Sequence, residues 1–164
     1  MRRVLAVLLV AVGLAGTARS QGEADSRDPG AVEAVIWERE MAIFAGRSAG
    51  DISPYLNATS GAYLGWPPGF AEPLPLGDFK AGAGAAVALR GEVTAVERMG
   101  FTLNGNTALT YFRTHRTRLG EGMAAAGERD VDQYYENIHV WSWEAGAWRL
   151  IGGMARPVAA PAAP

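Results

Sequence analysis

The 164-residue chain contains no cysteine and only two histidines, His115 and His139. The absence of cysteine excludes a disulfide framework, a thiol nucleophile and any zinc site that uses thiolate ligands. Two histidines far apart in the sequence, with scattered carboxylates, do not form a metal-ligand set. The chain also lacks a glycine-rich phosphate loop between a strand and a helix. We therefore expect neither a bound metal nor a cofactor.

Positive charge is also scarce. Fifteen Lys and Arg residues are opposed by 17 Asp and Glu residues, which gives a formal net charge of −2. A nucleic-acid partner would require a strongly basic face, so we expect none.

The N-terminus has the pattern of a secretory signal peptide. Met1-Arg2-Arg3 precedes the apolar run 4–14, and small residues follow before Ser20. The run is too short to span a bilayer, so residues 1–20 are predicted to be cleaved on export to the periplasm or the medium. We expect no membrane association after cleavage. Loss of three arginines would lower the charge to −5, residues 21–30 would form a linker, and the Ala/Pro-rich tail 157–164 would be disordered.

Export can be tested by intact-mass measurement of the periplasmic fraction. The mature chain is expected to begin between Arg19 and Gly22. A chain that keeps Met1 and stays in the cytosol would contradict the prediction.

Residues 31–156 predict one α+β domain, with helices first and an antiparallel sheet after them. The main helix is predicted from Ala31 to Ala45, because Asp28-Pro29 is a typical helix start. A short strand is predicted at Tyr63–Trp66, an ordered loop at Phe70–Phe79, a weak helix at Lys80–Leu89, and long strands at Glu92–Leu103, Asn106–Leu119, from Asp130 onward, and at Ala147–Arg156.

The last two strands form a predicted hairpin that is apolar or aromatic on both faces. A turn centred on Ala145-Gly146 would place Trp143 opposite Trp148, Trp141 opposite Leu150, and His139 opposite Gly152. Each face of the hairpin then requires another element or another chain packed against it. The face with aromatic rings and polar tips is predicted to line a pocket, and the other face to form a homodimer.

A connection centred near residues 124–125 predicts the register of the two central strands. This places His139 opposite Leu109, and it puts Tyr111 and Arg113 on the pocket face. His115 would then lie roughly 17–20 Å from His139 along the strand. We therefore expect His115 to be a rim residue that does not act together with His139.

Several segments resemble the nuclear transport factor 2-like superfamily, in particular its SnoaL-like and its uncharacterised secreted members. The matching segments are AVEAVIWEREMAIFAGR, AYLGWPPG, TLNGNTALTYFRTHR and IHVWSWEAGAWRLIGGM. The resemblance implies a cone-shaped domain, in which N-terminal helices pack on a strongly curved, mainly antiparallel sheet that encloses a pocket. It also implies frequent dimers through the outer sheet face. It does not imply one activity, because the superfamily includes isomerases, cyclases, dehydratases, epoxide hydrolases and non-catalytic binding modules.

Two residues are candidates for catalysis. His139 could be a general base or a ligand hydrogen-bonder, and Tyr111 could polarise a carbonyl. Glu38, Glu40 and Asp132 are the acidic candidates by position, although each is expected to be a solvated charge. The predicted pocket lining comprises Trp37, Phe44, Tyr63, Trp66, Leu109, Tyr111, Arg113, Tyr135, Asn137, His139 and Trp141.

Three functions remain open at this point. The favoured one is an exported protein that binds a small, largely apolar molecule without chemistry. The second is an enzyme of the isomerase, cyclase or dehydratase type, and the third is a dimerising interaction module. A buried carboxylate within hydrogen-bond reach of His139 or Tyr111 would favour the enzyme.

Overall fold

The computed structural model describes residues 28–82, 89–119 and 129–161, without the side chains of residues 129 and 130. The predicted signal peptide lies outside this range, as do most of the linker and residues 83–88 of the predicted weak helix. The elements are α1 (Pro29–Ala49), α2 (Ser53–Ala58), β1 (Thr59–Trp66), β2 (Leu74–Pro75), α3 (Leu76–Ala81), β3 (Val93–Asn104), β4 (Thr107–Leu119), β5 (Arg129–Glu144) and β6 (Ala147–Val158).

Helix α1 begins as predicted and ends later. The Asp28 carboxylate accepts a hydrogen bond from the Gly30 N–H at 3.1 Å, and Pro29 occupies the first turn. The helix continues past Gly46 to Ala49, and Gly50 ends it in the left-handed conformation at φ 72°. Gly46 is needed for packing, because a Cβ there would lie 2.6 Å from the Asp51 carbonyl oxygen.

The strands form one six-stranded sheet in the order β2-β1-β6-β5-β4-β3. All neighbours are antiparallel except β1 and β6, which run parallel. The helices precede the long strands, and α1 packs across the sheet. The predicted α+β class with a mainly antiparallel sheet is confirmed.

The last hairpin is confirmed near its turn and differs further along. Trp143 pairs with Trp148 and Trp141 with Leu150, across a turn in which Ala145 and Gly146 have φ values of 48° and 86°. An irregularity between Val140 and Trp141 then shifts the register, so that His139 faces Gly153 and not Gly152. A bulge of this kind is not visible in a pattern of apolar residues.

The predicted register between β4 and β5 is wrong by one residue. Leu119 pairs with Arg129, as a connection centred on 124 requires, but an irregularity follows between Arg118 and Leu119. From there inward His139 pairs with Thr110 instead of Leu109. Since side chains alternate across a sheet, one residue of slip reverses the faces. The inward residues of β4 are Ala108, Thr110, Phe112 and Thr114, all buried.

Smaller differences concern loops and ends. The first hairpin turns at Gly105-Asn106, because Asn104 already pairs with Thr107. The predicted loop 70–79 contains β2 and the start of α3. Strand β6 extends two residues into the predicted disordered tail, where Pro157 pairs with Tyr135.

Two apolar clusters hold α1 against the sheet. Val32, Ile36 and Ile43 pack with Trp141, Trp148 and Leu150, and a second cluster contains Trp37, Phe44 and Phe112. Burial of this apolar surface is the main stabilising contribution. In the parts of the chain that the structure describes, no helix is long and apolar enough to cross a membrane.

Candidate functional site

A carboxylate lies in the interface between α1 and the sheet. Glu40 has no exposed surface, and its side chain accepts hydrogen bonds from three residues. Thr110 Oγ1 lies 2.8 Å and Trp141 Nε1 3.0 Å from Glu40 Oε1. His139 Nδ1 lies 2.8 Å from Oε2 and 3.0 Å from Oε1. A buried charge is tolerated only with such compensation, so this site is built around the carboxylate.

The local fold explains why these groups meet. At about 100° per residue, Glu40 projects between the two apolar stripes of α1, one containing Ile36 and the other Trp37. Thr110 and His139 are direct partners on β4 and β5, and Trp141 lies two residues along the same inner face. The helix therefore inserts one acid into a row of three inward-facing donors.

The imidazole of His139 is oriented with one nitrogen toward Glu40 and one edge toward open space. Its side chain is 14 % exposed, and its ring contacts the Phe112 ring edge-on at 5.2 Å. Gly153 lies beside the other edge, where a Cβ would be 2.5 Å from His139 Cδ2 and 3.3 Å from Nε2. Because a carboxylate accepts the Nδ1 proton, Nε2 is the free nitrogen of the neutral ring.

His139 lines a cavity of about 180 Å³, which is many times the space that one water needs. Five predicted pocket residues line it, namely Phe44, Tyr63, Trp66, Asn137 and His139. Its other walls are largely apolar or aromatic and include Ile43, Ile52, Tyr55, Phe79, Leu89 and Met154. A pocket of this composition, with a few polar groups, is typical of a small-molecule site.

The other predicted pocket residues lie elsewhere. Leu109, Tyr111 and Arg113 are on the outer face of the sheet because of the register slip, and Tyr111 and Arg113 line a separate hollow there with Glu136. Tyr111 therefore cannot act with His139, and its assignment to the catalytic site is wrong. Trp37, Tyr135 and Trp141 are buried behind the cavity without lining it.

Two of the residues that line the cavity are the tyrosines Tyr55 and Tyr63. The phenols of Tyr55 and Tyr63 are hydrogen-bonded to each other, and both rings contact Phe79. Burial raises the pKa of both phenols above the ordinary value. Both phenols stay protonated at neutral pH, and because one hydroxyl donates to the other, one O–H of the pair remains to donate a hydrogen bond to a bound oxygen atom.

Glu40 was not predicted to be the acidic partner of His139, although its position in the sequence contains a signal for this role. Glu38 and Asp132 are exposed, as expected for solvated charges. Glu40 differs because it occupies the buried face of α1, one turn after Ile36 and one turn before Ile43. A charged residue inside an apolar stripe is unusual and indicates a buried partner.

His115 lies on the outer face of the sheet, on the same side of β4 as Tyr111 and Arg113, and not at the rim where it was predicted. Its Nε2 lies 2.6 Å from Asp132 Oδ1, and its ring stacks on Tyr134 at 4.0 Å. Neither His115 nor Asp132 lines the cavity. Within residues 28–82, 89–119 and 129–161, no group of three or more His, Cys, Asp or Glu side chains could hold a metal ion.

Neither the protein-family models nor the curated proteins contain a match to this sequence. Solved structures do match. A candidate dehydratase of the NTF2-like family from Streptomyces avermitilis is 17 % identical, with a TM-score of 0.65 over 81 % of this chain and 100 % of its own.

Two further structures have similar statistics. A ketosteroid isomerase-like protein from Erwinia carotovora atroseptica is 15 % identical, with a TM-score of 0.60 over 77 % of this chain and 96 % of its own. The CaMKII hub of S. rosetta is 15 % identical, with a TM-score of 0.61 over 76 % of this chain and 95 % of its own. The chain therefore has the nuclear transport factor 2-like fold, which confirms the resemblance at the level of the fold.

Proposed function

We propose that this domain binds a small, largely apolar molecule in its cavity and catalyses proton transfer on it, as isomerases and dehydratases do. The observation that carries the proposal is the fully buried Glu40 carboxylate at 2.8 Å from His139 Nδ1, while His139 itself lines the cavity. A purely structural histidine would not require a desolvated carboxylate behind a cavity wall.

The chemistry follows from the two nitrogens of the ring. His139 Nε2 removes a proton from the substrate as a general base and can return it to a different atom as a general acid. Glu40 is a positioning residue, because it holds the proton on Nδ1 and stabilises the imidazolium that forms during the reaction. The Tyr55–Tyr63 pair donates a hydrogen bond to an oxygen atom of the substrate, where negative charge develops.

The structural neighbours support the reaction class only through the fold. A candidate dehydratase and a ketosteroid isomerase-like protein share this architecture with the chain. Because one fold supports many activities, the proposal depends on the Glu40–His139 geometry and not on those names.

Elimination of 5-nitrobenzisoxazole tests the proposal without knowledge of the natural substrate. A base removes the ring C–H proton, the N–O bond breaks, and a coloured nitrile phenolate forms. The purified domain is expected to accelerate this reaction. His139→Ala is expected to lower the rate by about 100- to 10,000-fold, the usual contribution of a positioned base.

His115→Ala is the matched control, since it removes the histidine on the outer face of the sheet, which does not line the cavity. Its rate is expected to equal that of the wild type. Equal rates for wild type and His139→Ala would overturn the proton-transfer proposal and leave a binding pocket without chemistry.

We further propose that the exported chain forms a homodimer through the outer face of the sheet. Leu109, Tyr111, Ile138 and Val140 lie on this face and are only half-buried in the single chain. An apolar patch of this kind on a sheet face is commonly covered in an assembly. Sedimentation at micromolar concentration is expected to show a dimer that Tyr111→Glu dissociates. A wild-type monomer would contradict the proposal.

A further inference from the structure

Two arginines contribute positive charge to the cavity wall, and a carboxylate is buried next to them. Arg47 and Arg116 both line the cavity that contains His139, and Glu92 is buried next to them. Arg47 makes a two-point ion pair with Glu92, with Nε–Oε1 at 2.6 Å and a second bond at 3.2 Å. This geometry uses both oxygens of the only carboxylate in direct contact with Arg47 among the described residues.

Arg116 is the more weakly paired of the two arginines, since Glu92 is engaged closely by Arg47 and only at long range by Arg116. Its Nε lies 4.0 Å from Glu92 Oε1, which is too long for a hydrogen bond, and this Nε is buried with no hydrogen-bond partner. Its guanidinium lies over the Tyr135 ring at 4.2 Å, and its side chain is only 12 % exposed. A buried arginine normally pairs with a carboxylate or a phosphate, so a donor without a partner beside a cavity indicates a missing acceptor.

The electrostatic environment agrees with this geometry. Burial and the neighbouring charge of Arg47 lower the pKa of Arg116 to about 10. Arg116 therefore stays charged at neutral pH. The other carboxylate that is buried within the described part of the chain, Glu40, does not line the cavity, and Thr110, His139 and Trp141 already donate to it.

Resting on the proton-transfer function proposed above, we propose that Arg116 binds a carboxylate group of the substrate. The substrate class is then a small carboxylic acid whose apolar or aromatic body fills the cavity between Arg116 and His139. The carboxylate would accept from the Arg116 guanidinium, and the aromatic walls around Phe44 and Tyr63 would contact the body. Binding of the carboxylate by Arg116 would then orient the rest of the molecule toward His139 Nε2.

Benzoate and benzamide are a matched pair of probes, since they have nearly the same shape and differ in charge. Calorimetric titration of the wild-type domain is expected to show benzoate binding about 10- to 100-fold more tightly than benzamide. This range corresponds to about 1.5–3 kcal/mol for a hydrogen bond to a charged group, at about 1.4 kcal/mol for each factor of ten. The comparison uses only wild-type protein, so it does not depend on any variant folding.

Arg116→Gln is expected to bring the two affinities to within about threefold, through loss of benzoate affinity and with benzamide binding unchanged. Arg113→Gln is the matched control, because Arg113 is on the outer face on the same strand, and its ratio is expected to equal that of the wild type. A thermal melt of each variant confirms folding.

Each outcome has one meaning. Equal wild-type affinities for both probes, or an unchanged ratio in Arg116→Gln, would overturn the carboxylate site and leave the His139 proposal to its own elimination assay. Failure of both probes to bind at millimolar concentration would overturn the carboxylate site and also the proposal that the cavity binds small apolar molecules.

Discussion

Glu40→Gln is expected to lower the rate of 5-nitrobenzisoxazole elimination by about 100- to 10,000-fold while the domain stays folded. Thr110 and Trp141 both donate to the same oxygen, Oε1, so the amide oxygen of glutamine would take that position. The amide NH₂ would then face His139 Nδ1 and donate to it. This fixes the ring proton on Nε2, and the histidine can no longer accept a proton from the substrate.

Glu38→Gln is the control for this prediction, because Glu38 is exposed on the same helix. It is expected to leave the rate unchanged. The free energy of unfolding in denaturant is expected to change by no more than about 1–2 kcal/mol in Glu40→Gln, since two of its buried partners keep an acceptor. A Glu40→Gln domain with wild-type activity would contradict the role of Glu40 in setting the tautomer.

Trp148→Ala is expected to lower the free energy of unfolding by about 3–5 kcal/mol, the usual cost of removing a large aromatic side chain from a core. Trp148 is 2 % exposed and belongs to the apolar cluster that joins α1 to the sheet. Its ring also contacts Trp143 at 5.6 Å across the hairpin. Removal leaves a cavity at the point where helix and sheet are held together.

Trp66→Ala is the comparison for this loss. Trp66 is 45 % exposed and donates from Nε1 to the Phe70 carbonyl oxygen at 2.8 Å. We expect its removal to cost about 1 kcal/mol, since a half-exposed side chain contributes less burial. Denaturant titrations followed by circular dichroism compare the two. A smaller loss of unfolding free energy for Trp148→Ala than for Trp66→Ala would contradict the assignment of Trp148 to the core face of the hairpin.

The parts of the fold that the sequence predicts are those with strong local signals. Asp28-Pro29 fixes the start of α1, and the glycine turn at Ala145-Gly146 fixes the pairing of Trp143 with Trp148. In both cases a few adjacent residues determine the geometry, so no tertiary information is needed.

The central register could not be predicted because a single irregularity decides it. The shift between Arg118 and Leu119 leaves no trace in composition, yet it moves Leu109 and Tyr111 from the inner face to the outer one. A slip of one residue reverses every side chain of the strand, so the assignments of Leu109, Tyr111 and Arg113 to the pocket face failed together. His139 was unaffected, because it belongs to the hairpin face that the aromatic residues define.

Glu40 illustrates a different limit. Its position within the buried stripe of α1 follows from helix geometry, but the sequence does not show which donors lie opposite. Those donors come from residues 70 or more positions away in the chain, Thr110, His139 and Trp141. Only the packing of α1 across β4 and β5 brings them together. A charged residue within an apolar stripe of a helix is therefore better interpreted as a candidate site residue than as a solvated charge.

The most direct test of the Glu40–His139 account is the tautomer of His139, measured by multiple-bond ¹⁵N–¹H NMR on the neutral ring of the wild-type domain. The account predicts a proton on Nδ1, hydrogen-bonded to the Glu40 carboxylate, and an unprotonated Nε2 available in the cavity. A neutral ring with its proton on Nε2 would contradict it, because Glu40 would then have to donate to Nδ1 and no nitrogen would be free to accept a proton from a bound molecule.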